Sequence, residues 1–456
     1  MTANPPAPAA AVRFGRTHAG VYAATQSPAE QTAAYDMKRQ NWTHLSPGDQ
    51  VAVTRPTGEH YTADVEIKTA NSQIIWIRRH GMGTRHLLEN HDGTSIDRLE
   101  PPEPNPREVV AALPNYVAGR RAVNPETAAL ASNESHEKPL PSVQRVIREA
   151  LKSINRYPEM GATALREHLA TVLGVPQDAV AVGPGSVGVL QQLLSATCEA
   201  GDEVIFAWRS FEAYPILVQL AGASPVPIPL GIDEQHDLDA MLAAITEKTR
   251  VIIICTPNNP TGTVVEQDRL ERFLAAVPPH VFILIDEAYV EYVDPDKSID
   301  TIKLFQRHVN VCLLRTFSKA YGLAGLRIGY GLAHPILAAA LRSVALPFGV
   351  SDLAQRAAIA SLEATGEIQA RAQVVTAERS RLLQRLRDGG WVLPDTQANF
   401  IWLRTDETLR THILKAFDAA EILVRSFSGD GIRISLADAR TNDRVLEVLG
   451  ARDDFE

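Results

Sequence analysis

Cysteine is scarce in this chain. The 456 residues hold three, Cys198, Cys255 and Cys312. They are scattered, odd in number and without metal-ligand spacing, which excludes a disulfide framework and a cysteine-built metal centre. Two of them fall inside apolar runs, so all three read as buried thiols of a reducing compartment. Apolar stretches of transmembrane length are missing, and Met1-Thr-Ala-Asn-Pro-Pro-Ala-Pro8 lacks the charged-then-apolar order of a secretory leader. The expected location is cytoplasmic, with no membrane partner. A basic excess is missing too: the net charge of −9 argues against nucleic acid as a partner. The histidines of the first hundred residues, His18, His44, His60, His80, His86 and His91, match no metal spacing, so no metal is expected.

What is present is ordinary in bulk and informative in detail. Apolar content of 45% and charged content of 22% are those of a globular protein. The length exceeds what one core organises, so two or three domains are expected. Residues 1–45, rich in Ala, Pro, Thr and Gln without sustained periodicity, read as a mobile tail. Within 46–105, Gln50–Thr54, Tyr61–Ile67 and Gln73–Arg78 read as short strands separated by turn residues such as Pro47-Gly48 and Asn71-Ser72. This is the pattern of a small, SH3-like β-module, closed by a proline-rich linker, Pro101-Pro-Glu-Pro-Asn-Pro106.

From residue 106 onward the pattern changes. Val180–Val182, Glu203–Phe206, Val251–Cys255, Val281–Ile285 and Val311–Leu314 are apolar runs without alternation, alternating with helical stretches such as Leu190–Thr197. Runs of this kind suit strands covered on both faces. The expected class is α/β, a doubly wound and mostly parallel sheet, in which ligands bind beyond the carboxyl ends of the strands.

Each of those ends carries a candidate. After Val311–Leu314 comes Arg315-Thr-Phe-Ser-Lys-Ala-Tyr-Gly-Leu-Ala-Gly-Leu-Arg-Ile-Gly329. Lys319 there is flanked by the hydroxyls of Thr316 and Ser318 and followed by Arg327. A lysine poor in water and near cations deprotonates readily and can form a Schiff base; the hydroxyls and the arginine suit a phosphate. Gly183-Pro-Gly-Ser-Val-Gly188 opens a helix, where close backbone approach and the helix dipole favour an anion, although a plain glycine-rich turn reads the same. Cys255-Thr-Pro-Asn-Asn-Pro-Thr-Gly262 is either a turn or a place for the Asn259 amide to meet a cofactor hydroxyl. Asp286, directly after a buried run, is costly unless it meets a cation or caps a helix; a pyridinium N–H is one such partner. Tyr289 lies one helical turn further on. Arg433, in Gly431-Ile-Arg-Ile-Ser435, needs a partner among apolar neighbours, whether a substrate carboxylate or a structural acid.

Taken together, the stretches resemble the fold-type I pyridoxal-phosphate aminotransferases, within them the histidinol-phosphate aminotransferase family, and there the aromatic amino acid (phenylalanine) branch. The likeness runs from about Arg107 to near the C-terminus and is carried by Leu130-Ala-Ser-Asn-Glu134, Asn155-Arg-Tyr-Pro158, Trp208-Arg-Ser-Phe-Glu-Ala-Tyr214, Pro257-Asn-Asn-Pro-Thr-Gly262, Ile285-Asp-Glu-Ala-Tyr-Val-Glu-Tyr292, the Thr316–Tyr330 stretch and Gln397-Ala-Asn-Phe-Ile-Trp402. The resemblance implies pyridoxal 5'-phosphate as cofactor and amino-acid and 2-oxo-acid substrates. It implies a large domain over about 136–340 and a smaller one from 106–135 and 341–456. Residue by residue, it makes Lys319 the Schiff-base lysine and proton shuttle, and Asp286 the partner of the pyridine nitrogen. Asn259 and Tyr289 fall near the ring hydroxyl and Phe211 stacks on the ring. Arg327, Thr316, Ser318 and the amides of Ser186 and Val187 form the phosphate cup. Arg433 and Asn133 fall on the substrate side. Tyr157 reaches the phosphate of a neighbouring subunit, which implies a homodimer.

Two rival readings separate on the residues. A pyridoxal-phosphate-dependent transcription regulator would carry an N-terminal DNA-binding domain, but residues 1–105 hold 10 Lys/Arg against 11 Asp/Glu and read as strands without a basic stripe. Histidinol-phosphate transamination would require extra cations near the mouth for a second phosphate. An aromatic amino acid needs an apolar pocket and Arg433, and the branch resemblance favours it.

Overall fold

A computed structural model of the chain describes residues 40–100, 106–122, 124 and 126–455. The tail read over 1–45 lies mostly outside these residues, as does the linker stretch 101–105. The chain divides into two compact units at the 105/106 junction.

The first unit is one antiparallel sheet. Its strands are β1 (Gln50–Thr54), β2 (His60–Lys68), β3 (Ile74–Arg79), β4 (Arg85–Glu89) and β5 (Ser95–Arg98), in the order β4-β3-β2-β1-β5. Alternate residues, Val51, Val53, Ala63, Val65, Ile75 and Ile77, point into one core, as period-two patterning requires. The tail boundary is corrected here: Trp42 and Leu45 are buried in that core. A lone tryptophan and leucine among polar residues show no periodicity, so local pattern could not reveal their packing.

The second unit contains two sheets. The larger is built from β7 (Val180–Gly183), β8 (Glu203–Trp208), β9 (Ser224–Pro229), β10 (Thr249–Cys255), β11 (Phe282–Asp286), β12 (Val311–Thr316) and β13 (Gly329–Leu332), in the order β7-β13-β12-β11-β10-β8-β9. All neighbours pair in parallel except those of β13, which runs against both β12 and β7. The α/β class and the mostly parallel sheet are as the sequence led us to expect. The smaller sheet joins β6 (Ala128–Leu130), β14 (Phe400–Arg404), β15 (Ile422–Phe427) and β16 (Gly431–Ser435) in the order β14-β16-β15-β6.

The unbroken apolar runs have a simple cause. Ile252, Ile254, Ile283, Ile285 and Leu313 pack into one core, while Val251, Ile253, Cys255, Leu284 and Cys312 pack into another on the opposite face. Both faces are covered, so neither parity of residue can be polar. Cys198, Cys255 and Cys312 are all buried free thiols. Two strands of the larger sheet escaped the sequence reading, as did β4, β5 and all four strands of the smaller sheet. β9 carries prolines at 225, 227 and 229, yet it is an edge strand. Ser224 and Leu230 donate toward β8, so the prolines occupy the positions whose missing N–H would face outward. β13 is short and glycine-rich, with no apolar signal of its own.

Among the described residues every paired strand has its partners within its own unit. A chain beginning at Pro106 is therefore expected to fold alone and to melt at the midpoint the same segment shows in the full chain. Calorimetry of the two chains checks this.

Candidate active site

The candidate residues gather at the carboxyl ends of β10, β11 and β12. Asp286 is the last residue of β11, in register with Cys255 of β10 and Leu314 of β12. It is buried, and its Oδ2 accepts a 2.7 Å hydrogen bond from the Tyr214 hydroxyl, its Oδ1 a 3.3 Å bond from the Ala288 amide. Burial pushes the carboxyl up to about 6, against the pull of the Tyr214 hydroxyl.

Lys319 follows β12 and is half-buried. Its Nζ donates to the Ser132 carbonyl at 3.2 Å and stands 5.8 Å from the centre of the Tyr289 ring. Burial, then the positive charge of Arg433 and of Arg327, pushes the amine down to about 7, although Glu134 and Asp286 pull the other way. The Tyr289 hydroxyl accepts from Asn133 Nδ2 at 3.0 Å, and its ring meets Phe400 edge-on at 5.1 Å. Burial raises its phenol well above the ordinary value.

A second polar string crosses from the large sheet to the small one. Arg433 on β16 is buried. It donates through Nη1 to Asn259 Oδ1, 174 residues away, and through Nη2 to the Ala131 carbonyl at 2.8 Å. Among the described residues its Nε has no hydrogen-bond partner. Two residues on, the Ser435 hydroxyl donates to Asn133 Oδ1 at 2.9 Å and accepts from the Asn133 amide at 2.8 Å. Asn133 takes up a left-handed φ of 51°, a conformation asparagine tolerates better than most residues.

The third group lies at the start of the helix Gly185–Thr197, which has no capping side chain. Its first N–H groups have no carbonyl behind them, and Ser186 and Val187 are in that turn. Arg327 Nη1 lies 3.4 Å from Ser318 Oγ, and Thr316 Oγ1 accepts from the Ser318 amide at 3.1 Å. Two glycines permit this closeness: a Cβ on Gly185 would stand 2.4 Å from Arg327 Nη2, and one on Gly329 would stand 2.3 Å from the Ser186 nitrogen. Phe211 is half-buried and meets Tyr214 edge-on at 5.6 Å and Tyr116 at 6.3 Å.

The structure thus brings together Lys319, Asp286, Tyr289, Asn133, Asn259 and Arg433, and separately Arg327, Thr316, Ser318, Ser186 and Val187. It leaves Tyr157 apart: 81% exposed, that ring stacks on Phe348 at 4.6 Å. Reading the sequence missed three features. Tyr214, bonded to Asp286, was signalled only by its three-residue spacing from Phe211. Ser132 contributes a backbone carbonyl, for which no side-chain signal exists. Arg425 sits directly opposite Arg433 in the β15–β16 register and is paired with Glu212, a juxtaposition that only strand register creates. Burial, and Arg425 beside it, hold the Arg433 guanidinium below its usual basicity.

Chemistry locates the site. A separate cleft, of about 930 Å³, is lined by Glu234, Gln235, Lys297, Asp395 and Arg404 among others, and none of the residues above contributes to it. Its cations are already paired, Arg404 with Glu234 and Lys297 with Asp395. Among the described residues no group of three or more His, Cys, Asp or Glu is placed to hold a metal ion, and no helix is long and apolar enough to cross a membrane.

The family model for aminotransferases of class I and II matches residues 126–449. The chain belongs to this family. It is 49% identical over 348 residues to an aromatic amino acid aminotransferase of Streptomyces avermitilis, covering 76% of this chain and 96% of that protein. It is 48% identical over 347 residues to the protein of the same name from Streptomyces coelicolor, at 76% and 96% coverage. Among solved structures it is similar to a histidinol-phosphate aminotransferase from Sinorhizobium meliloti in complex with pyridoxal-5'-phosphate, at a TM-score of 0.68 and 28% identity, covering 75% of this chain and 96% of that one.

The depressed amine gives a stability test. A lysine held near 7 in the fold but near 10.5 when unfolded burdens the folded state fully below about pH 7. The burden declines between those values and is absent above them. Asp286 works the other way, burdening the fold above about 6 and not below 3.8. Cofactor-free Lys319→Met is expected to be more stable than the parent at about pH 6 and to lose that advantage by about pH 10.5. Denaturant midpoints across that range check it.

Proposed function

We propose that the protein is a pyridoxal-phosphate-dependent aromatic amino acid aminotransferase. It moves the amino group between phenylalanine or tyrosine and a 2-oxo acid such as 2-oxoglutarate. The observation that carries the substrate class is the near-half identity to aromatic amino acid aminotransferases over almost their whole length. The observation that favours the cofactor is internal: a buried carboxylate short of donors, facing an amine of lowered basicity, beside an uncapped helix start lined by an arginine and hydroxyls.

On this reading each residue has a task. Arg327, the hydroxyls of Thr316 and Ser318 and the amides of Ser186 and Val187 hold the phosphate. Phe211 covers one face of the ring, and Asn259 and Tyr289 stand at its hydroxyl. Asp286 keeps a proton on the ring nitrogen. When bound, pyridoxal phosphate supplies an electron sink for the bonds of the substrate Cα. Lys319 is the anchoring amine. With a value near 7 it can also accept a proton from the substrate Cα and return it, the condition for effective general acid–base work at neutral pH. Arg433 takes the substrate carboxylate, exchanging its bond to Asn259 and engaging its unpaired Nε, with Asn133 beside it.

The enzyme works as a homodimer in which Tyr157 serves the neighbouring subunit's phosphate site. Leu151, Ile154, Tyr157 and Met160 are exposed along one stretch, and Leu346 and Phe348 along another that Tyr157 stacks against. That is an apolar surface suited to a second copy. The reducing compartment of such an enzyme is the cytoplasm, consistent with three buried, unpaired thiols.

Two measurements test the reading. Borohydride reduction of the loaded protein should fix the cofactor on Lys319, and half-reactions should run faster with phenylalanine and tyrosine than with histidinol phosphate. A label on another lysine, or preference for histidinol phosphate, overturns it. For the dimer, mixing Tyr157→Phe chains with Lys319→Ala chains should yield more activity than the mean of the two parents, because one site of each heterodimer is then intact. Sedimentation of a fully active monomer contradicts this.

A further inference from the structure

Tyr214 is fully buried in the first turn of the helix Ala213–Leu220. Its ring is wedged edge-on against Phe211, at 5.6 Å and 88°, and against Phe206, at 5.9 Å and 60°. Packed in this way the phenol cannot turn aside. Its hydroxyl has one proton, which goes to Asp286 Oδ2 at 2.7 Å. Cys255 faces the same hydroxyl, but its own S–H is directed to the Pro257 carbonyl at 3.5 Å. Among the described residues the only other donor to the carboxylate is the Ala288 amide, at 3.3 Å.

The groups facing Asp286 are therefore few: Tyr214, Cys255, Glu287, Tyr289 and Lys319. Cys255 and Tyr289 are neutral. Glu287 is committed to Arg315 and Thr301, so its charge opposes a second carboxylate nearby. Lys319 is the cation among them, and its own basicity is depressed. A buried carboxylate placed like this drifts toward its neutral form unless a donor holds the charge. The short bond from Tyr214 is the strongest influence in that direction.

We infer that Tyr214 is a positioning residue: it holds Asp286 in its charged form, aimed at the cofactor ring, and locks it to Phe211, the aromatic that covers the ring. The inference rests on the cofactor reading above, and it assigns a role to a side chain three residues beyond Phe211, whose carbonyl accepts from the Tyr214 amide at 3.0 Å.

The test is Tyr214→Phe, which removes one hydroxyl and keeps the ring packing. In the cofactor-free protein, the Asp286 carboxyl is titrated by infrared difference spectroscopy, with Asp286→Asn as the reference. Its midpoint is expected to rise by about one pH unit, a tenfold gain in proton affinity. In the loaded enzyme, kcat should fall by roughly 10- to 100-fold, the range of a lost hydrogen bond to a charged group. The acid limb of its pH profile should move upward with the carboxyl. A loss of activity with an unmoved carboxyl midpoint is what simple loosening of the fold would give, and it overturns the role. Should the variant fail to fold, the parent chain carrying 3-fluorotyrosine replaces it. The more acidic phenol should lower the Asp286 midpoint, and no shift overturns the proposal. The two readings fail separately. An unmoved midpoint removes Tyr214 and leaves the cofactor assignment standing. A moved midpoint in a protein that takes up no pyridoxal phosphate upholds the coupling and removes the cofactor assignment.

Discussion

A carboxylate stands at the end of a strand buried along nearly its whole length, and the site is organised around the cost of that placement. Asp286 ends β11, with β10 and β12 on either side and helices over both faces. Burial keeps water from it, two donors only partly satisfy it, and the cation that acts on it is a lysine of lowered basicity. Such a group is tolerable when something positive completes it. The same scarcity of water that raises Asp286 depresses Lys319, so the two unusual groups of the site share one cause.

The second constraint is the junction between the two sheets of the larger unit. Arg433 and Ser435 on β16 reach Asn259 after β10, and Ala131 and Asn133 after β6. These are long-range bonds made by buried polar groups, each of which would be costly left alone. Arg209 with Asp430 and Arg425 with Glu212 continue the connection outward. The geometry of the site is consequently that of the junction, because polar groups of the candidate site also hold the sheets together.

The glycines show how narrow the tolerance is. Gly185 and Gly329 let a guanidinium and a helix start approach to distances that any Cβ would block. Arg327 itself adopts a left-handed φ of 54°, a conformation sustained only when the surroundings determine it. A site that concentrates strain, buried charge and close backbone contact in this way departs from the local rules that the scaffold around it obeys.

Sequence alone was sufficient for the α/β class and for five strands of the larger sheet, and it singled out residues whose chemistry is local. Val251–Cys255 and Val281–Ile285 declared themselves as strands covered on both faces because burial leaves no polar position in either parity. Lys319, Asp286 and Arg433 stood out because charged groups beside apolar runs need a reason. β9 hid behind prolines that only its edge position excuses, and Trp42 and Leu45 hid in a polar stretch. Tertiary structure alone decided the rest. It gave the Tyr214 proton to Asp286, 72 residues away, and Asn259 to Arg433, 174 residues away. It also set Arg425 opposite Arg433 through strand register. Periodicity records which side of an element is buried. Which buried groups meet depends on how elements far apart in the chain are aligned, and no local pattern carries that alignment.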